Sequence, residues 1–171
     1  MRRKITFSLS TESINNALRE LVEYKEELRY KNSIFVQRLA EAGLKVIEAN
    51  KYSEGDADFS SLHSYVWIDE GETTTKATLV LTGKDVAFIE FGAGVHYNGS
   101  GGSSPHPQGQ RLGLTIGSYG KGHGLEDSWV YYDSEQARYK TTHGTKAAMP
   151  LAKADEDIRK RYLEIAKEVF G

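Results

Sequence analysis

Five histidines, His63, His96, His106, His123 and His143, are the side chains of this chain best suited to hold a metal or move a proton. Three of them, His96, His106 and His123, fall in or beside one glycine-rich stretch, which raises a metal-dependent hydrolase or nuclease as one reading. No two histidines stand four residues apart, and there is no His-Glu-x-x-His pattern. Gathering the three would also mean ordering many glycines, each of which loses more freedom than any other residue. They read as polar, hydrogen-bonding residues, and no cofactor or metal is expected. Nucleotide binding fails on spacing: Gly120-Lys121 is followed by Gly122 where a P-loop needs Ser or Thr, and Thr115 stands in place of the first glycine. Gly101-Gly102-Ser103-Ser104-Pro105 opens like a nucleophile elbow but lacks the closing glycine. Glu90, between Ile89 and Phe91, is the carboxylate in the most apolar setting. An unpaired buried carboxylate is costly, so Glu90 is expected on the exposed face. Arg2-Arg3-Lys4 is too short a run, with no interleaved aromatics, to mark a nucleic-acid surface. No catalytic constellation emerges, and the chain is not expected to be an enzyme.

The elements that would position any site follow from periodicity. Ile5, Phe7 and Leu9 alternate with Thr6 and Ser8, the pattern of a half-buried strand and not of a signal peptide's apolar core. Ser10 or Thr11 can cap a helix whose apolar positions are Ile14, Leu18, Leu21, Leu28, Phe35, Leu39, Ala42 and Val46. Lys25 and Asn32 interrupt this stripe. Either the helix breaks near Lys31-Asn32 into two shorter ones, the preferred reading, or it is one long helix with a coiled-coil seam. Two strands, 62–68 and 77–81, follow around a turn at Asp69-Glu70-Gly71-Glu72. Trp129-Val130-Tyr131-Tyr132 reads as a third strand, with Arg138-Tyr139-Lys140-Thr141-Thr142 as its hairpin partner. Pro150 then starts a final helix with Leu151, Ala154, Ile158, Tyr162, Ile165 and Val169 on one face. Pairs Glu156–Lys160 and Asp157–Arg161 lie on its wet side.

The fold expected is therefore α+β: a small, mainly antiparallel sheet packed by a long N-terminal helical region and a C-terminal helix, within one domain spanning 1–171. The 171 residues carry a formal net charge of -2, which gives no general drive toward nucleic acid or acidic membranes. There is no cysteine and no apolar run near the ~18 residues of a membrane span. Eleven of the 17 glycines crowd into 86–124. A loop this long, 92–124, is usually functional or unstructured. Residues 98–124 are expected to be mobile in the isolated chain and to order on assembly. Phe91 is expected to anchor the chain in the core, with Gly92 and Gly94 freeing the backbone beyond it.

Four boxes carry a resemblance. Ala87-Phe88-Ile89-Glu90-Phe91-Gly92-Ala93-Gly94 resembles the aromatic–x–Glu–Phe–Gly–Thr–Gly box of a bacteriophage tail-component family. These are the neck or tail-completion proteins that join head to tail in lambdoid-type siphophages and prophages. Trp129-Val130-Tyr131-Tyr132-Asp133 is similar to that family's tryptophan–tyrosine strand, and Thr142-His143-Gly144-Thr145-Lys146-Ala147-Ala148-Met149-Pro150-Leu151 to its approach to the last helix. Leu39-Ala40-Glu41-Ala42-Gly43 is similar to its helix ending. Ala93 stands where threonine is commoner, and Met149 precedes the proline instead of following it. The resemblance implies a structural virion protein, assembled in the bacterial cytoplasm, that completes a tail or joins it to the head. It implies self-association into a ring, with a hexamer as one stoichiometry, and docking to other neck or tail proteins. Neither a membrane nor specific nucleic-acid binding is implied. The assembly loop and its anchor would involve Glu90, Phe91, Gly92, Gly94, His96, Tyr97, Tyr119 and Trp129, together with the helical face around Lys25 and Asn32.

Overall fold

A computed structural model of the chain describes residues 4–94, 104–109, 111–112 and 128–171. Helix α1 (Thr11–Asn50) is followed by strands β1 (His63–Glu70) and β2 (Thr75–Thr82), the short helix α2 (Val86–Phe91) and strand β3 (Ala93–Gly94). Strands β4 (Trp129–Asp133), β5 (Arg138–Thr142) and β6 (Gly144–Thr145) lead to helix α3 (Pro150–Phe170). The α+β class is as expected. In place of one sheet, the described residues form three two-stranded antiparallel ladders, β1–β2, β3–β6 and β4–β5. Among the described residues no helix is long and apolar enough to cross a membrane.

Helix α1 is one uninterrupted helix of 40 residues, which overturns the expected break near Lys31-Asn32. The physical reason is exposure. Lys25 lies in solvent and Asn32 is only half-buried, so neither polar side chain disturbs a packed core. Ser10 caps the start, its side chain accepting from the Ser13 N–H. Leu39–Gly43 lies inside α1 and not at its end, the second correction. The third concerns residues 4–10, which form no strand. Phe7 is 63% and Leu9 94% exposed, because an alternating segment without a neighbouring edge has nothing to pair with.

Helix α3 runs antiparallel to α1. Lys153 bonds Asn50 at one end, and at the other the Phe35 and Phe170 rings meet edge to face while Arg38 pairs with Glu168. Hairpin β1–β2 lies across α1 with its tip at Arg29, whose guanidinium donates to the Gly71 carbonyl, and its base at Glu48, bonded to Ser64. The elements close over a core of Ile47, Leu62, Leu81, Ile89, Ala148 and Ala154. Small residues permit the close approach: a Cβ on Gly43 would lie 2.6 Å from Leu79 and 2.7 Å from Ile158. Tyr162, assigned by periodicity to the apolar face of α3, is 47% exposed.

Candidate functional site

The backbone around Glu90 explains why the carboxylate is buried. Helix α2 is a single-turn element ended by Gly92, whose N–H bonds the Phe88 carbonyl and whose φ of 81° and ψ of 165° suit only glycine. The chain then turns into β3, where Ala93 pairs with Thr145 and Gly94 with Gly144. This short ladder brings 86–94 against the segment leading into α3, and the Ala148 N–H donates to the Ile89 carbonyl at 2.8 Å. Two of the sequence boxes, about fifty residues apart, thus form one joint.

That joint supplies what α3 lacks locally. Met149 precedes Pro150 in a left-handed conformation, φ 56°, and offers no side-chain cap. Glu90 provides it instead: its carboxylate oxygens accept from the Leu151 N–H at 2.9 Å and the Ala152 N–H at 3.0 Å. Pro150 has no N–H, and the Lys153 N–H reaches the Met149 carbonyl, so every donor of the first turn is satisfied. A carboxylate also suits the positive end of a helix. Glu90 is therefore buried, at 3% exposure, correcting the expectation that it lies on the exposed face. Three donors compensate the loss of water, which an isolated buried carboxylate would lack.

The third donor comes from the glycine-rich stretch. His106 Nε2 lies 2.9 Å from Glu90 Oε1, and the Gln108 N–H donates to His106 Nδ1 at 3.0 Å. Since Nδ1 accepts, the ring's proton sits on Nε2 and is donated to Glu90. The Ser104 hydroxyl donates to the Phe91 carbonyl and accepts from the His106 N–H, while the half-buried Phe91 ring stands 4.3 Å from the imidazole. Residues 104–109 are thereby tied to the body, which narrows the expectation of mobility across 98–124. Apart from Arg111 and Leu112, which bond back to Gln108, the rest of that stretch lies outside the described residues.

Of the residues singled out for assembly, Glu90, Phe91, Gly92 and Gly94 come together here. His96, Tyr97, Tyr119 and the metal candidate His123 lie outside the described residues, as does the side chain of Trp129. Trp129 is placed by its backbone alone, opposite Thr142 in the β4–β5 hairpin. Sequence reasoning missed His106 and Ser104 as partners of this joint. The available signal was Pro105 and Pro107 on either side of His106, two fixed backbone angles inside an otherwise glycine-rich stretch.

A cleft of about 590 Å³ opens on the other side of the β3–β6 ladder, between α2 and the β4–β5 hairpin. Its carboxylates are already engaged. Asp56 accepts from the Thr142 hydroxyl and the His143 N–H, Asp85 from the Asp58 N–H, and Glu135 pairs with Lys84. Asp133 is held at a pKa of about 2, chiefly by the Lys140 ammonium and then by the Gln136 and Glu135 N–H groups. Among the described residues no three His, Asp or Glu side chains converge as a metal site. No protein-family model, curated protein or solved structure matches the chain.

Proposed function

We propose that this chain is a structural virion protein of a phage or prophage, completing a tail or joining head to tail through ring-type self-association. The observation that carries the reading is the joint itself. Two boxes that resemble the tail-component family at separate places in the sequence are one structural unit here, bonded through Glu90, the β3–β6 ladder and the Ala148–Ile89 contact. The unit holds residues 104–109 of the glycine-rich stretch against the body. It supports a scaffold for contact more readily than a reaction centre, because each polar atom of Glu90 and His106 is spent on internal bonds. Exposed aromatic pairs on two hairpins, Tyr65 and Trp67 on β1 and Tyr132 and Tyr139 across β4–β5, at 48–75% exposure, fit the same role.

The competing reading, a metal-dependent hydrolase or nuclease using His96, His106 and His123, would require His106 to give up one of its two ring partners. The decisive experiment is genetic. Deleting the gene from the phage or prophage that carries it is expected to leave filled heads and separate tails, with the protein present in wild-type particles by mass spectrometry. Normal infectious particles from the deletion would overturn the proposal. Stoichiometric zinc or manganese in the purified protein, lost on His106→Ala, would favour the hydrolase.

A further inference from the structure

The hairpin and α3 cover only the second half of α1. The tip of the β1–β2 hairpin reaches Arg29, and α3 ends beside Phe35. Residues 11–28 run on past both, for about 27 Å at 1.5 Å per residue. Their apolar stripe continues the seam buried further along the helix, yet, although Ala17 is buried, Ile14 is 38%, Leu18 54%, Leu21 51% and Val22 61% exposed. A helix with a bare apolar stripe is a surface built to be covered.

A second bare face lies elsewhere on the chain. Alternate residues of β1 point away from α1, and among these Tyr65 and Trp67 are 48% and 67% exposed. Their register partners Val80 and Thr78 share that outer face. The inner face already packs on the second half of α1, so the hairpin is a two-stranded layer with a helix on one side. A helix on both sides would complete a three-layer arrangement. The chain's own α1 cannot supply it, because one continuous helix that lies on the inner face cannot also cross the outer one.

We propose that the occupant is a second copy of this chain: residues 14–25 of one copy lie on the outer face of the β1–β2 hairpin of the next. The helical segment fits within the hairpin, since eleven helical steps cover about 17 Å against about 26 Å for an eight-residue strand. Charge sets the direction. Lys25 interrupts the apolar stripe, and at the hairpin tip Asp69, Glu70 and Glu72 outnumber Lys76 and Arg29. The helix therefore lies with Ile14 toward His63 and Lys25 over the tip. Two different surfaces meet, so the contact is head-to-tail and each copy both gives and receives one. Covering Trp67 and Tyr65 removes about 300 Å² a side, well below the ~800 Å² of a stable pair. One contact is weak, and closure of a ring, in which each copy is held twice, makes it hold. The inference rests on the self-association proposed above and adds its surfaces and polarity.

The chain has no cysteine, which allows a direct test by disulfide trapping. Leu18→Cys and Trp67→Cys are made in separate full-length chains, checked for parental melting, mixed at high concentration and oxidised. A mixed disulfide between the two is expected, and Glu20→Cys, on the opposite side of the helix, should give little with Trp67→Cys. Dominant Leu18→Cys homodimers would mean helix-on-helix pairing and overturn the proposal. So would the absence of any trapped species at concentrations where the parent sediments as oligomers, or a parent that stays monomeric throughout. As a second readout, Trp67→Ala should weaken sedimenting association roughly tenfold or more, as loss of an aromatic hot spot does. Unchanged association in Trp67→Ala would count against the outer hairpin face. A negative result here with tailless particles from the gene deletion would leave the virion role standing and remove only this contact.

Discussion

Replacing Glu90 with glutamine keeps the shape of the joint and removes its charge, which isolates the electrostatic part of the cap. The carboxylate offers only acceptors to three donors, the N–H groups of Leu151 and Ala152 and the His106 Nε2–H. A glutamine has one oxygen. Turned toward Ala152 and His106, it sets its own NH₂ against the Leu151 N–H. Flipped, it satisfies Leu151 and faces donors with a donor at the other two, while His106 cannot switch tautomer without losing Gln108. At least one buried donor is stranded in either pose, and the surviving bonds lose their charge. Hydrogen bonds to a charged group contribute about 1.5–3 kcal/mol each, so the loss is on the order of 3 kcal/mol. For a chain of this length that lowers the melting temperature by about 6–12 °C. Circular dichroism melts give the shift, and amide exchange should locate it at Leu151 and Ala152. A variant melting within about 2 °C of the parent would refute the capping argument.

Gly92→Ala forces an L-residue into a glycine-only conformation with its Cβ 3.2 Å from Ala147. It should cost about 1–3 kcal/mol, read as a lower urea midpoint with an unchanged slope. Phe91→Ala should cost on the order of 2 kcal/mol, less than a fully buried aromatic, and speed amide exchange across 104–109. Unaltered exchange there would separate Phe91 from the joint. Asp133 should titrate near 2 by carboxyl NMR. Because its folded pKa lies below the unfolded 3.8, its contribution is complete above about pH 4 and disappears as pH falls through about 2. Lys140→Met should raise that midpoint, and a midpoint unmoved by Lys140→Met would contradict the pairing.

Local pattern carried the elements that pair or pack with near neighbours in sequence. The hairpin of Trp129–Asp133 with Arg138–Thr142 and the start of α3 at Pro150 stand as their residues indicate, while the β1–β2 turn falls two residues later than expected, with Asp69 and Glu70 still paired in β1 and the reversal at 71–74. The pattern was misleading where a partner was missing or distant. Ile5, Phe7 and Leu9 alternate but meet no edge, and Lys25 and Asn32 look like defects only if the whole stripe is buried. Glu90 was the hardest residue, because its burial depends on donors 61 and 62 positions away and on a histidine 16 positions away. In retrospect Met149 was informative: a helix opening without a Ser, Thr, Asp or Asn before its proline needs a cap from elsewhere.

The dependence of α3 on Glu90 also orders events during synthesis. Everything that Glu90 needs on its own side is made early, yet its two backbone donors emerge some sixty residues later, so the turn at Leu151 closes through a long-range contact. Until α3 arrives, the seam of α1 from Phe35 to Val46 has lost its main cover and presents the same kind of stripe as residues 14–28. A nascent chain would then offer the next copy two stretches of helix where the finished protein offers one. Docking of α3 is the step that converts an indiscriminately sticky helix into one with a single bare end, and mutations that slow it should raise aggregation during expression before they change the stability of the folded protein.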